Sequence, residues 1–277
     1  MNILIADSGA TKTDWVLTGT QHQFIQSRGL NPHMVSAKEF VEVLSREVKP
    51  NLNGQGVSSI YFYGSGCGDE LKKQEVRLYL QKMFEFAEIH IGTDLDGAGK
   101  AIYSDQPGLV GILGTGSSAG FYDGNNIVRQ MPSEEYPFGD EGSGSDIGKR
   151  VLLAQLQGEL PADLKAFLDG KMNTDIEEQF YVFQQPSETK KFVSKIGKLM
   201  GDYADHPFMQ QTIRDGFEAY IKKITDFFYG MELRSIGMVG TVASVYEDEM
   251  REVFQEYGVS VESIIQSPIN KLAERFN

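Results

Sequence analysis

The sequence has a single cysteine, Cys67, among its 277 residues. One thiol can neither close an internal disulfide nor build a thiolate metal site within one chain. The four histidines, His22, His33, His90 and His206, lie far apart, without metal-ligand spacing. These absences exclude a disulfide-stabilised scaffold and a Cys/His metal centre, and a lone reduced thiol fits a cytoplasmic protein.

Positive charge and long apolar runs are also scarce. The 26 Lys and Arg residues are outnumbered by 39 Asp and Glu, for a formal net charge of −13. Without a basic run, binding to a nucleic-acid backbone or to an anionic membrane is disfavoured. The residues from Met1 to Asp7 lack the basic and apolar regions of a signal peptide, and no run of eighteen apolar residues occurs. We therefore expect a cytoplasmic protein whose partners are small molecules or proteins.

A hairpin pattern occurs twice in the sequence. Near the start, Ile3 to Ala6 and Trp15 to Leu17 flank a turn of small residues, as two antiparallel strands would. The same arrangement returns in Leu109 to Leu113 and Ala119 to Tyr122. Since the chain is also longer than one compact core usually requires, the repetition predicts two domains.

The domain boundary is predicted at the turn-rich Asp105-Gln106-Pro107-Gly108, which gives domains over 1–106 and 107–277. A capping box, Ser36-x-x-Glu39, starts a helix that should stop at Pro50. Apolar spacing predicts the other elements, namely strands at 60–63, 89–91 and 236–239 and helices at 69–86, 187–204, 208–229 and 242–257.

The first hairpin turn, Asp7-Ser8-Gly9-Ala10-Thr11-Lys12-Thr13, has the composition of a phosphate-binding loop. Small residues let the backbone approach a ligand, while amides, hydroxyls and Lys12 supply hydrogen-bond donors. Asp7, at the strand end, is suited to hold Mg²⁺ through water. The spacing is not that of a P-loop, and an ordinary polar hairpin turn is the alternative interpretation.

The second turn, Gly114-Thr115-Gly116-Ser117-Ser118, again alternates glycine with hydroxyl side chains after an apolar strand. Alone it is a weak signal. Two such turns, one opening each domain, predict that the phosphates of one nucleotide are held from both sides.

Several motifs in order give the chain a family resemblance. They are Asp7 to Thr13, Thr93-Asp94 with Gly97-Ala98, Gly114 to Ser118, Gly139-Asp140-Glu141-Gly142-Ser143, Val239-Gly240-Thr241-Val242 and Ser267-Pro268-Ile269-Asn270. The set resembles the N-acetylglucosamine kinase and BadF/BadG ATPase family of the actin, hexokinase and heat-shock chaperone superfamily, over nearly the whole chain. The resemblance implies an α/β fold with two lobes of duplicated ribonuclease-H-like, actin-like ATPase topology and a nucleotide cleft between them. It also implies that the last helix, about 267–277, can pack back on the first lobe.

The resemblance further implies ATP and Mg²⁺ as cofactors, a homodimer, and specific site residues. Asp94 matches the catalytic base, which takes the proton of the attacking sugar hydroxyl. Gly240 and Thr241 match a nucleotide-binding turn, and the sugar contacts fall on Asn31, Asp94, Thr115 and Asp140.

Simpler roles remain open for these residues. Asp94 could be a solvated loop residue or the cap of a helix starting near Leu95. Asp96 stands where the family has a small residue, and it could cap that helix or compete with Asp94. Asp140 could cap a helix starting near Ser145, and Asn31 precedes a proline, as in many turns.

The substrate segment departs from the family. Where relatives carry Gly-Gly-Trp, this chain has Ser133 to Phe138, and Tyr136 or Phe138 could form an aromatic wall or belong to the core. The favoured prediction is an ATP-dependent kinase that phosphorylates N-acetylglucosamine or N-acetylmuramic acid at the 6-hydroxyl. The alternatives are an ATPase that acts on a protein partner and a non-catalytic, sugar-responsive binding protein.

The BadF/BadG branch of the family includes ATPases with an iron–sulfur cluster bridging two subunits. Four thiolates in a symmetric dimer need two cysteines per chain, and Cys67 is alone. The sequence therefore predicts no such cluster and indicates that Cys67 is a small buried or loop residue.

Overall fold

The structure is a computed structural model that describes residues 2–19, 22–132, 134, 138–172, 175, 186–232 and 234–276. Contacts divide the chain into two compact units. The first unit comprises Met1–Val110, Phe121–Arg129 and Ser267–Asn277, and the second comprises Gly111–Gly120 and Gln130–Gln266.

The strands of the described residues form two five-stranded mixed sheets. In chain order they are β1 (Ile3–Ser8), β2 (Lys12–Leu17), β3 (Gln23–Arg28), β4 (Ser59–Gly64), β5 (Glu88–Thr93), β6 (Gly108–Leu113), β7 (Ser117–Tyr122), β8 (Ile127–Gln130), β9 (Ser235–Val239) and β10 (Ser260–Ile265).

Most of the α-helices lie within a few residues of a predicted helix, but α5 was not predicted. They are α1 (Ala37–Val43), α2 (Glu70–Met83), α3 (Asp94–Tyr103), α4 (Gly144–Gln157), α5 (Ala162–Met172), α6 (Pro186–Met200), α7 (Pro207–Phe227), α8 (Thr241–Val245), α9 (Glu247–Glu256) and α10 (Ile269–Arg275). The single helix predicted over 242–257 is thus two short helices that meet at Tyr246.

The two sheets have the same strand connectivity. The first has the order β3-β2-β1-β4-β5, and the second, taken from its other edge, has the order β8-β7-β6-β9-β10. In the first sheet β1 is antiparallel to β2 and parallel to β4, and in the second β9 is parallel to β10. This confirms the predicted fold class, an α/β protein with duplicated ribonuclease-H-like topology.

The first unit is built around the hairpin that opens the chain. Leu4, Ile5 and Ala6 of β1 are fully buried, as expected for a central strand covered on both faces. Trp15 and Phe62 pack beside them in the same apolar core. Burial of these side chains is the main force that fixes the sheet, at about 25 cal/mol per Å² of apolar surface.

The first helix confirms the capping box and extends beyond its predicted end. The Ser36 hydroxyl accepts the Glu39 N–H, and the Glu39 carboxylate accepts the Ser36 N–H. After α1, a π-helical turn over Leu44–Val48 and a 3₁₀ turn over Lys49–Leu52 continue the chain. Pro50 lies in the first turn of the 3₁₀ segment, where a missing N–H breaks no hydrogen bond, so the proline does not end the helical path.

In the second unit, α4 and α6 cross at unusually close range. A Cβ atom on Gly148 would overlap the carbonyl oxygen of Val193, and one on Gly197 would overlap that of Gly144. Glycines at these positions let the two helix backbones touch. This contact brings the inward face of α6 to the start of α4.

The last helix, α10, contacts α3, β1 and β2 of the first unit. Its neighbour Phe276 packs on Tyr61 with 4.2 Å between the ring centres, and Tyr61 in turn stacks on His90. No helix among the described residues combines the length and apolar character needed to traverse a lipid bilayer.

Candidate active-site turns and carboxylates

The turn between β1 and β2, called turn 1 (Ser8 to Thr13), is fastened by its own end residues. The Ser8 and Thr13 hydroxyls are buried and 2.8 Å apart, and the Gly9 N–H donates to the Lys12 carbonyl at 2.9 Å. These hydroxyls therefore stabilise the turn, and their predicted contacts with a nucleotide stay a prediction. By contrast, the N–H groups of Ala10 and Thr11 are exposed and have no partner among the described residues.

Lys12, a predicted phosphate ligand, is paired with a carboxylate. Its Nζ lies 2.6 Å from Oδ2 of Asp14, whose Oδ1 accepts a hydrogen bond of 2.7 Å from Gln26. The Lys12 side chain is 56% exposed, so the pair is worth about 1 kcal/mol or less. A phosphate could displace Asp14 at little cost, and the predicted contact from Lys12 stays a prediction.

Two carboxylates of the first unit, Asp7 and Asp94, lie at one edge of its sheet. Asp7 is the penultimate residue of β1, and Asp94 follows β5 as the first residue of α3. Because β1, β4 and β5 run parallel, their carboxyl ends meet at this edge, where ligands of such sheets bind.

Both carboxyl groups hold protons more tightly than usual. Burial, reinforced by the charges of Asp94 and Asp14 and opposed by Lys12, raises the pKa of Asp7 to about 7. Burial likewise raises the pKa of Asp94 to about 6, against the N–H that Leu95 donates to Asp94 Oδ1 at 2.9 Å. Two crowded carboxylates short of positive charge are a favourable environment for a cation.

Mg²⁺ fits the donor atoms of this edge. It prefers carboxylate oxygens and usually keeps several water ligands, so one or two carboxylates suffice. Within the described residues no group of three or more His, Cys, Asp or Glu side chains forms a closed metal cage. The edge therefore suits a hydrated ion held by Asp7 and a nucleotide, and does not suit a structural metal.

Asp96 has a structural task that distinguishes it from Asp94. Its Oδ2 accepts the Thr93 N–H and hydroxyl, both at 2.8 Å, and Thr93 caps α3 in return. Its Oδ1 accepts the Ile127 N–H at 2.7 Å. Asp96 thus caps the helix, as one of the alternatives predicted, whereas the N-cap position belongs to Thr93 and not to Asp94.

The turn between β6 and β7, called turn 2 (Gly114 to Ser118), is held by residues from other segments. The carbonyl of Gly114 accepts the Gly144 N–H at 2.9 Å, and that of Thr115 accepts the Ser145 hydroxyl at 2.6 Å. The Tyr220 hydroxyl donates to the carbonyl of Ser118 at 2.8 Å.

Three donors of turn 2 are left over. The N–H groups of Thr115 and Gly116 and the buried hydroxyl of Ser117 have no partner in the part of the chain that the structure describes. Leaving a buried hydroxyl unpaired costs about 1 to 3 kcal/mol, so an anion that accepts a hydrogen bond from Ser117 would be stabilising. Turn 2 therefore has the hydrogen-bonding character of a phosphate site.

Asp140 braces turn 2. Its backbone adopts a left-handed conformation, with φ 66°, and its Oδ1 accepts the Ser117 N–H at 3.1 Å. Its Oδ2 lies 2.6 Å from Nζ of Lys190 on α6. The residue that caps α4 is Ser143, so the alternative role of Asp140 as helix cap is wrong. Oδ1 thus has a hydrogen-bond donor, whereas buried Oδ2 has an ion-pair partner but no hydrogen bond among the described residues, so it can accept one from a sugar hydroxyl.

Gly240 is required by packing. Its φ is 124°, and a Cβ atom there would overlap the carbonyl oxygen of Leu113, at the entrance of turn 2. The Gly240 N–H donates to Ile265 at 2.9 Å, and exposed Thr241 starts α8. The close approach of β9 to turn 2 explains the glycine without a nucleotide.

Asn31 forms a local turn. Its Oδ1 accepts the His33 N–H at 2.9 Å, and its Nδ2 donates to Ser65 at 3.2 Å. Gly66 has a left-handed φ of 82°, and a side chain there would press on the Asn31 amide. The amide keeps one N–H for a ligand, and the predicted sugar contact stays a prediction.

The substrate segment is only partly described. Phe138 is 79% exposed, so it is not a core residue, while Ser133, Glu135, Tyr136 and Pro137 lie outside the described residues.

Cys67 is fully buried, and burial raises the pKa of its thiol to about 12, as expected for an inert packing residue.

Sequence reasoning missed Lys190, Ser145, Ser194 and Tyr220. None lies in a recognisable motif near turn 2, and Tyr220 is 102 residues from the carbonyl that it holds. Spacing along the chain carries no signal for such contacts.

A scan against protein-family models finds no match, and neither does a search of curated proteins. Solved structures do match. A glucokinase of the ROK family from Streptomyces griseus, in complex with glucose and AMPPNP, is 13% identical with a TM-score of 0.67, over 99% of this chain and 96% of that one. This chain therefore shares the duplicated α/β fold of that glucokinase.

Two further structures make the match more specific. A presumed N-acetylglucosamine kinase from Porphyromonas gingivalis is 27% identical with a TM-score of 0.87, over 99% of this chain and 98% of that one. Another from Chromobacterium violaceum is 16% identical with a TM-score of 0.77, over 100% and 99%. The structural match to presumed N-acetylglucosamine kinases confirms the resemblance that the motifs indicated.

Proposed function

We propose that this protein is an ATP-dependent kinase that phosphorylates an N-acetylated amino sugar, N-acetylglucosamine or N-acetylmuramic acid, at its 6-hydroxyl. The observation that carries the proposal is the set of donors in turn 2, where the buried Ser117 hydroxyl and the N–H groups of Thr115 and Gly116 have no partner among the described residues. Within the first unit, the raised pKa values of Asp7 and Asp94 support it. Donors without partners suit phosphates, and a carboxylate with a pKa near the working pH suits proton transfer. The names of the similar proteins support the sugar class.

In the proposed reaction, Asp94 accepts the proton of the sugar hydroxyl as its oxygen attacks the γ-phosphorus. The bond from that phosphorus to the β–γ bridging oxygen breaks, and ADP leaves. Ala10, Thr11, Thr115, Gly116 and Ser117 donate hydrogen bonds to the phosphates. Asp7 holds hydrated Mg²⁺, which when bound neutralises phosphate charge.

Asn31, Asp140 and Thr115 are proposed to select the sugar. A free N–H remains on the Asn31 amide, and the carboxylate of Asp140 can accept a hydroxyl in addition to its present partners. Gly240 and Thr241 are proposed to border the nucleotide, with the glycine also serving β9 packing.

The test is direct: the protein is incubated with Mg-ATP and a panel of amino and neutral sugars, and ADP and product mass are followed. We expect ADP release that depends on N-acetylglucosamine or N-acetylmuramic acid, with a product heavier by one phosphoryl group. Sugar-independent ADP release would favour an ATPase that acts on a protein partner. Sugar binding without any ATP consumption would favour a non-catalytic binding protein.

A further inference from the structure

Lys190 lies on α6, a helix without a recognisable sequence motif, and contacts Asp140, the residue that braces turn 2. It lies near the start of α6, on the face that packs against α4, and its Nζ is 2.6 Å from Asp140 Oδ2. The Asp140 side chain is 11% exposed and that of Lys190 is 39% exposed. An ion pair of this kind, with one partner nearly buried, is screened less by solvent than an ordinary surface pair.

The carboxylate that Lys190 contacts is wedged into turn 2. Asp140 Oδ1 accepts the Ser117 N–H, and it lies so close to Gly116 that a side chain there would collide with it. The negative charge of Asp140 is therefore next to the unpartnered donors of Thr115, Gly116 and Ser117. Without a neighbouring cation, this charge would repel a phosphate group at those donors.

A second contact from the same helix face reaches turn 2. Ser194, one helical turn after Lys190, has its hydroxyl 2.7 Å from that of Ser145. Each hydroxyl also has a backbone carbonyl within reach, that of Thr115 at 2.6 Å for Ser145 and that of Lys190 at 2.6 Å for Ser194, so either can be the donor between the two hydroxyls. α6 thus holds turn 2 at two points, through Asp140 and through Ser145.

We propose that Lys190 is a positioning residue for turn 2, which neutralises Asp140 so that the carboxylate can hold the Ser117 amide without repelling a bound phosphate. The inference rests on the proposed nucleotide binding by turn 2. It assigns Lys190 an indirect role, because its ammonium contacts Asp140.

The experiment measures binding of Mg-ADP by titration calorimetry, without sugar, so that any sugar contact of Asp140 does not enter. The variants are Lys190→Met, Lys190→Arg, Asp140→Asn and the double variant Lys190→Met/Asp140→Asn. Lys191→Met is the matched control, because Lys191 is the next residue on α6 and its side chain is exposed. Thermal melts show whether each variant is folded, and Lys190→Gln carries the same test if Lys190→Met does not fold.

We expect Lys190→Met to weaken Mg-ADP binding on the order of tenfold or more, since it leaves an uncompensated charge near the phosphates. Lys190→Arg and Lys191→Met should bind within about twofold of the unaltered protein. The double variant should recover most of the loss, because the Asn carbonyl still accepts the Ser117 N–H and carries no charge.

Recovery of Mg-ADP binding in the double variant would show charge compensation. If Lys190 had a purely structural role, the double variant should instead bind more weakly than Lys190→Met. Equal binding by Lys190→Met and Lys191→Met would overturn the inference, as would a double variant no better than Lys190→Met. If the unaltered protein does not bind Mg-ADP at all, the proposed function fails first, so the two failures are distinguishable.

Discussion

The two hairpin turns occupy equivalent places in two sheets of the same connectivity, yet they are stabilised in different ways. Turn 1 is fastened by a hydroxyl pair from its own ends, Ser8 and Thr13, with a carboxylate, Asp7, directly before it. Turn 2 has Leu113 and Gly114 in the corresponding stretch and is braced by segments from elsewhere in the second unit. The two turns therefore differ in their surroundings: a carboxylate directly precedes turn 1, whereas segments distant in sequence brace turn 2.

The largest expected effect on activity comes from removing the proposed base of the first unit. Asp94→Asn should lower kcat by about 10² to 10⁴-fold, the usual contribution of a general base, while Mg-ADP binding changes little. Asp96→Asn is the control: it should weaken the cap of α3 and lower the melting temperature but retain most turnover. Steady-state kinetics and thermal melts measure both effects. Full activity in Asp94→Asn would refute the proposed base.

The rigidity of turn 2 can be tested at Gly240. Gly240→Ala should lower the free energy of unfolding by about 2 to 4 kcal/mol, because a φ of 124° is strained for alanine and its Cβ would meet Leu113. Gly158→Ala is less strained, at φ 75° and ψ 19° against φ 124° and ψ 164° for Gly240, has open space around it, and should cost about 1 kcal/mol. Denaturant titration measures both. Equal costs would mean that neither the backbone strain at Gly240 nor its contact with turn 2 contributes.

The acidic edge of the first unit should make stability depend on pH in an unusual direction. The pKa of Asp7 is raised to about 7, so between its ordinary value near 3.8 and 7 the folded state binds more protons than the unfolded state. Stability from this group is therefore present at low pH and is lost as pH rises through about 7. Asp7→Asn should accordingly stabilise the metal-free protein at pH 8, by about 1 to 3 kcal/mol.

Thermal melts at pH 5 and pH 8, with and without Mg-ADP, check this prediction. The gain from Asp7→Asn should be smaller at pH 5, because the folded-state carboxyl is then protonated and only ionisation of the unfolded state opposes folding. The variant should also lose the extra stabilisation that Mg²⁺ adds to ADP. A destabilised variant at pH 8 would contradict the assignment of Asp7 as a carboxylate held in an unfavourable environment.

The smallest effects are expected from removing one hydroxyl that stabilises each turn. Thr13→Val removes the partner of the Ser8 hydroxyl, the side-chain pair that closes turn 1, and should weaken Mg-ADP binding several-fold. Tyr220→Phe removes one of several braces of turn 2 and should change binding by less than about twofold, with about 1 kcal/mol lost in stability. The reverse order of effects on binding would show that turn 2 is the less robust of the two.

Much of the architecture could be predicted because it depends on local patterns. The opening hairpin, the capping box at Ser36 and the long helices follow apolar spacing and turn composition, which act over a few residues. The strands β3, β8 and β10 were not predicted. The apolar residues of β3 (Phe24 and Ile25) and of β10 (Val261, Ile264 and Ile265) neither alternate with polar residues nor form a long run, and three of the four β8 residues are exposed, so the hydrophobic pattern of each strand is weak.

At the candidate site, the sequence by itself determined which chemical groups are present: small residues and hydroxyls in two turns, and carboxylates at Asp7 and Asp94. Only the tertiary structure decided which of them have free hydrogen-bonding capacity. Ser8 and Thr13 satisfy each other, Asp96 is consumed by a helix cap, and Asp140 is tied to Lys190. The physical reason is that a donor or acceptor is committed by whatever folding brings within about 3 Å of it, and that neighbour can be a hundred residues away.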